Sequence, residues 1–231
     1  MLQLISGTPL TLFPFFRQMQ QASQWWHDRQ SYYLQQQADQ IRDGLLQKLF
    51  TVRRSLELCE QKEGQPCSEE RQTWVTEIEQ VHRSLRHLSD QLFPSHLEES
   101  LPLAIRYELE QWKQQHPQIK LELDLPTQWN DESAERSRTI LMILDELLRI
   151  ALPQPSHPAI QEPIQICLSA RNHEGELKIS IPYPDQSTRR ECCRSNELIH
   201  LSHAFQLLTS GWCISRNKGR IAAWSFRWRL L

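Results

Sequence analysis

From Leu34 onward the apolar residues fall at Leu34, Ala38, Ile41, Leu45, Leu49, Val52, Leu56 and Cys59, mostly in alternating steps of four and three. On a 3.6-residue repeat that spacing draws one stripe along a long amphipathic helix. Gly64 and Pro66 break the pattern, and Ser68-Glu69-Glu70 then supplies a cap with acidic residues in the first turn of a second helix. The stripe of that helix is Trp74, Ile78, Val81, Leu85, Leu88 and Leu92, ending before Pro94. A hairpin of two such helices leaves much of both stripes facing water, and pairing two copies into a four-helix bundle buries them. The expectation is a homodimer with Ile41, Leu45, Leu49, Val52, Leu56, Trp74, Ile78, Val81, Leu85, Leu88 and Leu92 at its interface. The segment upstream, residues 10–33, is also compatible with a helix and carries Phe15, Phe16, Trp25, Trp26, Tyr32 and Tyr33. These aromatics are expected to extend the bundle or pack against the dimer mate, the alternative being a docking surface for another protein.

After Pro94 the texture changes. Residues 101–112 read as a helix with apolar positions at Leu101, Ile105, Leu109 and Trp112, and residues 119–125 alternate as a half-buried strand. A strongly apolar helix follows at 140–151, then a Pro-rich loop at 153–163. Two alternating runs, 164–168 and 177–181, flank Asn172-His173-Glu174-Gly175 and signal a hairpin. Residues 182–195 read as a polar connection. A helix at 197–209 stops at Gly211, and two strands close the chain, the last with Trp224, Phe226, Trp228 and Leu230 on one face and Ser225, Arg227 and Arg229 on the other. The order suits a sheet covered on one side by helices. The fold class is therefore α+β: a helical extension over 1–30, a dimerising hairpin over 31–95, and an α/β sandwich over 96–231.

Composition narrows the function without choosing it. The chain of 231 residues is 39% hydrophobic and 23% charged, as expected of a folded, soluble protein. Its longest apolar stretches fall short of the roughly 20 residues that span a bilayer, and the stretch at 10–16 is interrupted by Pro14. With no basic, apolar, small-residue leader, the expected location is the cytoplasm, with no membrane insertion. The six cysteines, irregularly spaced, are read as reduced thiols. A net charge of −2 argues against general nucleic-acid binding, which needs an excess of Lys and Arg.

Residues 37–50, Gln-Ala-Asp-Gln-Ile-Arg-Asp-Gly-Leu-Leu-Gln-Lys-Leu-Phe, resemble the first helix of the histidine kinases that partner nitrate- and desaturase-type response regulators. That family's pattern is alanine, two polar residues, an aliphatic, then His-Asp-x-x-x-Gln. Residues 82–94, with Leu97 and residues 101–104 beyond them, look like the family's second helix and its Leu-x-Pro exit, and the later element order fits its attached GHKL-type ATPase domain. The resemblance covers about residues 31–231. It implies a phosphoacceptor His where this chain has Arg42, whose guanidinium is always protonated and offers no lone pair to a γ-phosphate. It implies a Mg²⁺-binding Asn four residues beyond Glu146, where this chain has Ile150, with no oxygen for a hard cation. It implies a glycine-rich box after residue 181, where Pro182-Tyr183-Pro184-Asp185-Gln186 stands without the glycines that let backbone approach a nucleotide. Asp43 and Gln47 are retained. In the family they accept a proton and position water for dephosphorylating the regulator; the simpler alternative is that both fill exposed polar positions.

Other constellations read more plainly. Trp26-His27-Asp28 is a second His-Asp pair, but Tyr32 stands where a Gln would be needed. Cys192, Cys193, His200 and His203 have ligand types without a familiar zinc spacing. His82, His87 and His96 read as polar surface positions. Arg216, Lys218, Arg220, Arg227 and Arg229 beside Trp224 and Trp228 are explained by strand alternation and not as a nucleic-acid surface. No cofactor and no metal are expected. The sequence points to a two-component signalling protein without autokinase activity that binds and modulates a response-regulator receiver domain or a partner histidine kinase. A response-regulator phosphatase using Gln47 and Asp43 and a homodimeric interaction scaffold are the alternatives.

Overall fold

The structure, a computed structural model, describes residues 12–60, 68–92, 96–97, 99–129, 132–153 and 160–230. The chain is α+β, with N-terminal helices followed by a five-stranded mixed sheet and its helices. Two compact units divide it: residues 28–95, and residues 96–231 together with 1–27.

Helix α1 (Leu12–Asp39) runs into a π-helical turn (Gln40–Leu46) and then α2 (Gln47–Glu60); α3 is Ser68–Leu92. The break expected at Gly64 and Pro66, and the exit at Pro94, lie outside the described residues. α2 and α3 pack against each other, and this divides the expected dimer stripe in two. Leu45, Val52 and Val81 are already buried within one copy, and Trp74 is half-buried. Ile41, Leu49, Leu56, Ile78 and Leu85 stay exposed, while the side chains of Leu88 and Leu92 lie outside the description. An amphipathic helix in a hairpin must serve its own mate first, so only the flank of the stripe is left over. Gln37 is also buried, at 4% exposure, with neither amide atom hydrogen-bonded.

The larger unit contains α4 (Leu101–Gln115), β1 (Leu121–Asp124), α5 (Ala134–Ala151), β2 (Ile164–Arg171), β3 (Glu174–Pro182), α6 (Gln186–Cys192), α7 (Asn196–Thr209), β4 (Trp212–Lys218) and β5 (Ile221–Arg229). Strand order is β1-β2-β3-β5-β4, with only β1 and β2 parallel. Four helices begin at capping side chains: Ser100, Ser133, Asp185 and Ser195 each accept from a backbone N–H of the first turn. The β2–β3 connection is a two-residue turn with Asn172 and His173 at φ 53° and 61°, the left-handed pair that lets the flanking strands keep their twist. Alternation then puts Ile166, Leu168, Leu177, Ile179, Phe226 and Trp228 on one buried face against Ile105, Leu109, Ile143, Leu144, Leu147 and Phe205 of α4, α5 and α7.

The last strand follows its alternation, with Trp224, Phe226 and Trp228 buried. Trp228 sits opposite Gly175, where a Cβ would lie 2.6 Å from the indole, so only glycine fits. Its Nε1 donates to Glu132 (2.8 Å), whose carboxylate also accepts from Arg136 (3.0 Å). Gly211 serves closeness and not helix termination: Ser210 takes the left-handed position (φ 55°), and a Cβ on Gly211 would meet the Arg227 carbonyl at 2.2 Å.

Two expectations are corrected. Residues 182–195 are not simply a polar connection, because α6 lies within them, closed on one side by the Asp185 cap and held by buried Thr188 and Arg189. Such a short helix has too few apolar positions to show a period. The upstream aromatics divide as well: Trp25 and Trp26 pack on the α+β core, and Trp25 stacks on His200 of α7 with ring centroids 6.0 Å apart. A surface on α7 therefore takes Trp25, a side chain expected in the bundle. Phe16 and Tyr32 are exposed, and the Phe15 side chain lies outside the description. No helix among the described residues is long and apolar enough to cross a membrane.

Candidate functional site

Arg42, Asp43 and Gln47 lie on or just after the π turn. A π turn carries an extra residue per hydrogen-bonded loop and recurs as a local bulge within α-helices, often at functional positions. Gly44 lies within it, with open space around the position a Cβ would take, and glycine is the residue here that least favours a regular helix. The bulge left a trace in the sequence. The steps from Ile41 to Leu45 to Leu49 are both four, a slip in an otherwise alternating repeat, and that signal was available. Arg42 holds Asp39 one turn back at 3.2 Å, with 70% and 51% of the two side chains exposed, an arrangement that contributes well under about 1 kcal/mol. Asp43 and Gln47 are exposed. The segment thus presents a guanidinium and a carboxylate from adjacent residues, and an amide about one turn on, to solvent.

The second cluster lies in the α+β unit, where α5 ends. Glu146 is buried, its side chain 8% exposed, with Arg149 Nε at 3.8 Å; Arg149 also bridges Asp145 at 3.1 Å. Ile150 packs against the apolar core. β3 ends at Pro182, and the next residue, Tyr183, is fully buried. Its phenol donates to the Ala151 carbonyl (2.6 Å), satisfying an acceptor in the last turn of α5 that the helix itself cannot. Cys193 lies 3.9 Å from the same oxygen, and burial drives the Tyr183 phenol far above its ordinary pKa. Asp185 is consumed as the α6 cap: it accepts from the Ser187 hydroxyl, the Thr188 amide (2.8 Å) and the Thr188 hydroxyl (3.0 Å). Those bonds, that of Ser187 first, hold its pKa down at about 2. Arg189 donates to the Gly219 carbonyl (2.8 Å), fastening α6 to the β4–β5 turn.

Glu146 and Ile150 stand in the last turns of α5 and Tyr183 reaches its end, but the polar atoms of these residues and of Asp185 are turned to structural use. What the residues present is a carboxylate beside an arginine, a hydrocarbon, a phenol bonded to backbone, and a capping Asp. That set offers neither a free oxygen cluster for a hard cation nor a glycine-lined backbone for phosphates. Among the described residues no group of three or more His, Cys, Asp or Glu is placed to hold a metal ion. Sequence reasoning missed the role of Tyr183, since a tyrosine between two prolines looks like loop surface; only the three-dimensional path returns it to α5. It also missed Glu108 on α4, where burial and the nearby Asp145 charge push the carboxyl up to about 7. Cys167, Cys192, Cys193 and Cys213 are free thiols, and burial pushes Cys192 and Cys213 to about 11, away from the thiolate that reacts.

No protein-family model and no curated protein matches the chain. Among solved structures it is similar to the Acinetobacter baumannii histidine kinase AdeS, at 13% identity over 80% of this chain and 96% of that one, TM-score 0.40. A histidine kinase from Burkholderia phymatum STM815 is similar at 11% identity over 80% of this chain and 95% of that one, TM-score 0.42. The histidine kinase ThkA, in complex with the response regulator TrrA, is similar at 12% identity over 98% of this chain and 68% of that one, TM-score 0.40.

Proposed function

We propose that this chain is a histidine-kinase-like signalling protein of the cytoplasm that dimerises through its helical hairpin, has no autokinase activity, and binds a response-regulator receiver domain or a partner kinase to alter its phosphorylation. The observation that carries this reading is Arg42: the motif around it resembles a phosphoacceptor helix, and the acceptor itself is an exposed guanidinium. A guanidinium cannot attack a γ-phosphate at any accessible pH. Ile150 and the buried Tyr183 support the same reading from the other unit, since carbon and a backbone-bonded phenol stand where the resemblance asks for nucleotide ligands. Calorimetric titration with Mg-ATP tests the first half, with no isotherm expected; saturable binding would overturn it. Titrating the purified chain against receiver domains and kinases of its own genome tests the second half, with at least one specific complex expected and none counting against it.

A second reading is favoured by one observation, the exposure of both Asp43 and Gln47. Water, not the missing His, attacks a phosphoryl-aspartate, and the receiver supplies most of the charge stabilisation. A phosphatase reading predicts faster decay of a phosphorylated regulator with the native chain than with Gln47→Ala; equal decay ends it. A dimer that binds neither receiver nor kinase would leave the scaffold reading.

A further inference from the structure

β4 is an edge strand: it pairs with β5 on one side only. Six of its seven residues are exposed, and among the described residues no other strand pairs with its outer row of N–H and C=O groups. Edges of this kind are templates for a further strand. Alternation sends Trp212, Ile214, Arg216 and Lys218 to the outer sheet face, as set by their register with Arg227, Ser225, Ala223 and Ile221. Along that face Glu176 is already taken by Arg227 (3.0 Å) and by Ser225. Arg216 and Lys218 make no ion pair among the described residues, and Lys178 adds a third cation to the same groove of about 400 Å³. On the opposite face, Ser215 and Asn217 line a second groove of about 220 Å³ with Ile199, Ser202 and His203 of α7. The free edge is thus flanked by a concavity on each face, one cationic and one smaller and of mixed polarity.

We propose that the free edge of β4 is a strand-addition site for an acidic extended segment of another protein. This goes beyond the signalling reading above and does not depend on it. Main-chain bonding to the edge supplies affinity, and alternate side chains supply specificity. A residue opposite each β4 position lies about 5 Å away, close enough for charge pairing. The segment therefore carries acidic residues opposite Arg216 and Lys218, apolar ones opposite Trp212 and Ile214, and small residues between them facing α7. A second copy of this chain is disfavoured as occupant, because antiparallel pairing of two β4 edges about Ser215 sets the two Arg216 side chains diagonally across from each other, with a Lys218 beyond each, and β4 carries no carboxylate to offset them. The same charges that discourage self-pairing attract an acidic strand.

The probe is a pair of fluorescent heptapeptides, Val-Thr-Val-Thr-Glu-Thr-Glu and its reverse, which match β4 in the parallel and antiparallel senses. Binding to the full chain is read by anisotropy, and β4 by amide hydrogen exchange. One peptide should bind at least tenfold more tightly than its counterparts with Lys for Glu or Pro for the central Thr, and should slow exchange across residues 212–218. The double variant Arg216→Glu, Lys218→Glu should lose at least tenfold for the Glu peptide and gain for the Lys peptide, a swap that a misfolded variant cannot produce. Equal binding of the Pro peptide, unchanged β4 exchange, or no swap overturns the proposal. So does a fall in the native chain's oligomeric state on charge reversal, which would make β4 a contact between copies.

Discussion

The helical hairpin and the α+β unit are built from equally regular apolar patterns, yet the two use them differently. In the α+β unit the sheet and its helices close on one another, and the inward row of β5 is buried along its length. In the hairpin, Leu45, Val52 and Val81 are buried, while Ile41, Leu49, Leu56, Ile78 and Leu85 remain between 37% and 52% exposed. A sheet face covered by three helices has neighbours on every side, whereas a helix with one antiparallel mate can cover only part of its stripe. Periodicity therefore says that a surface is to be buried, and not whether the same chain buries it.

The sharpest way to break the comparison is to damage the closed core. Trp228→Ala removes an indole packed over Gly175 and leaves the buried Glu132 carboxylate short of one donor; it should cost the α+β unit about 3–5 kcal/mol. Denaturant melts followed by near-UV circular dichroism would read this, and a loss below about 1 kcal/mol would mean the core is looser than its burial indicates. Next comes the open stripe. Leu49→Glu with Ile78→Glu alters two exposed side chains, so the single copy should fold as before while self-association weakens by about 3 kcal/mol. An unchanged sedimentation profile would remove these residues from any dimer seam.

The third test is pH. Glu108 titrates at about 7 in the folded chain, above its ordinary 4.5, because burial and the Asp145 charge both oppose ionisation. The unfolded chain gives up that proton first, so the stability held by protonated Glu108 is complete below pH 4.5 and is lost as pH rises through about 7. The decline should be on the order of 3 kcal/mol, and Glu108→Gln should flatten it. Melts at pH 4.5, 6 and 8 showing the same slope in both proteins would discard this account. The smallest effect belongs to the hairpin. Gln37→Leu replaces a buried amide that has no hydrogen-bond partner, and should raise the hairpin's stability by about 1 kcal/mol; destabilisation would mean that the amide is used, with a second copy the first place to look.

Much of the architecture was legible from residues alone. The long helices, the strand at 121–124, the hairpin across Asn172 and His173 and the final alternating strand all follow from spacing and turn chemistry. Elements whose evidence is local and repetitive are readable; α6 is not, because seven residues and a cap leave no period. The candidate sites were readable as residue identities, yet not as environments. Residues 182–195 read as a polar connection until Asp185 was found capping α6 with both its oxygens and the Tyr183 phenol was found reaching Ala151.

The sequence by itself determined the long helices and the alternating strands, because dihedral preference and side-chain period belong to each residue and its near neighbours. Only the tertiary structure decided which half of the hairpin stripe stays open, that Trp25 lies on His200, that Tyr183 occupies the end of α5, and that β4 is left as a free cationic edge. Those outcomes depend on which surfaces meet across tens or hundreds of residues, and no local period carries that information.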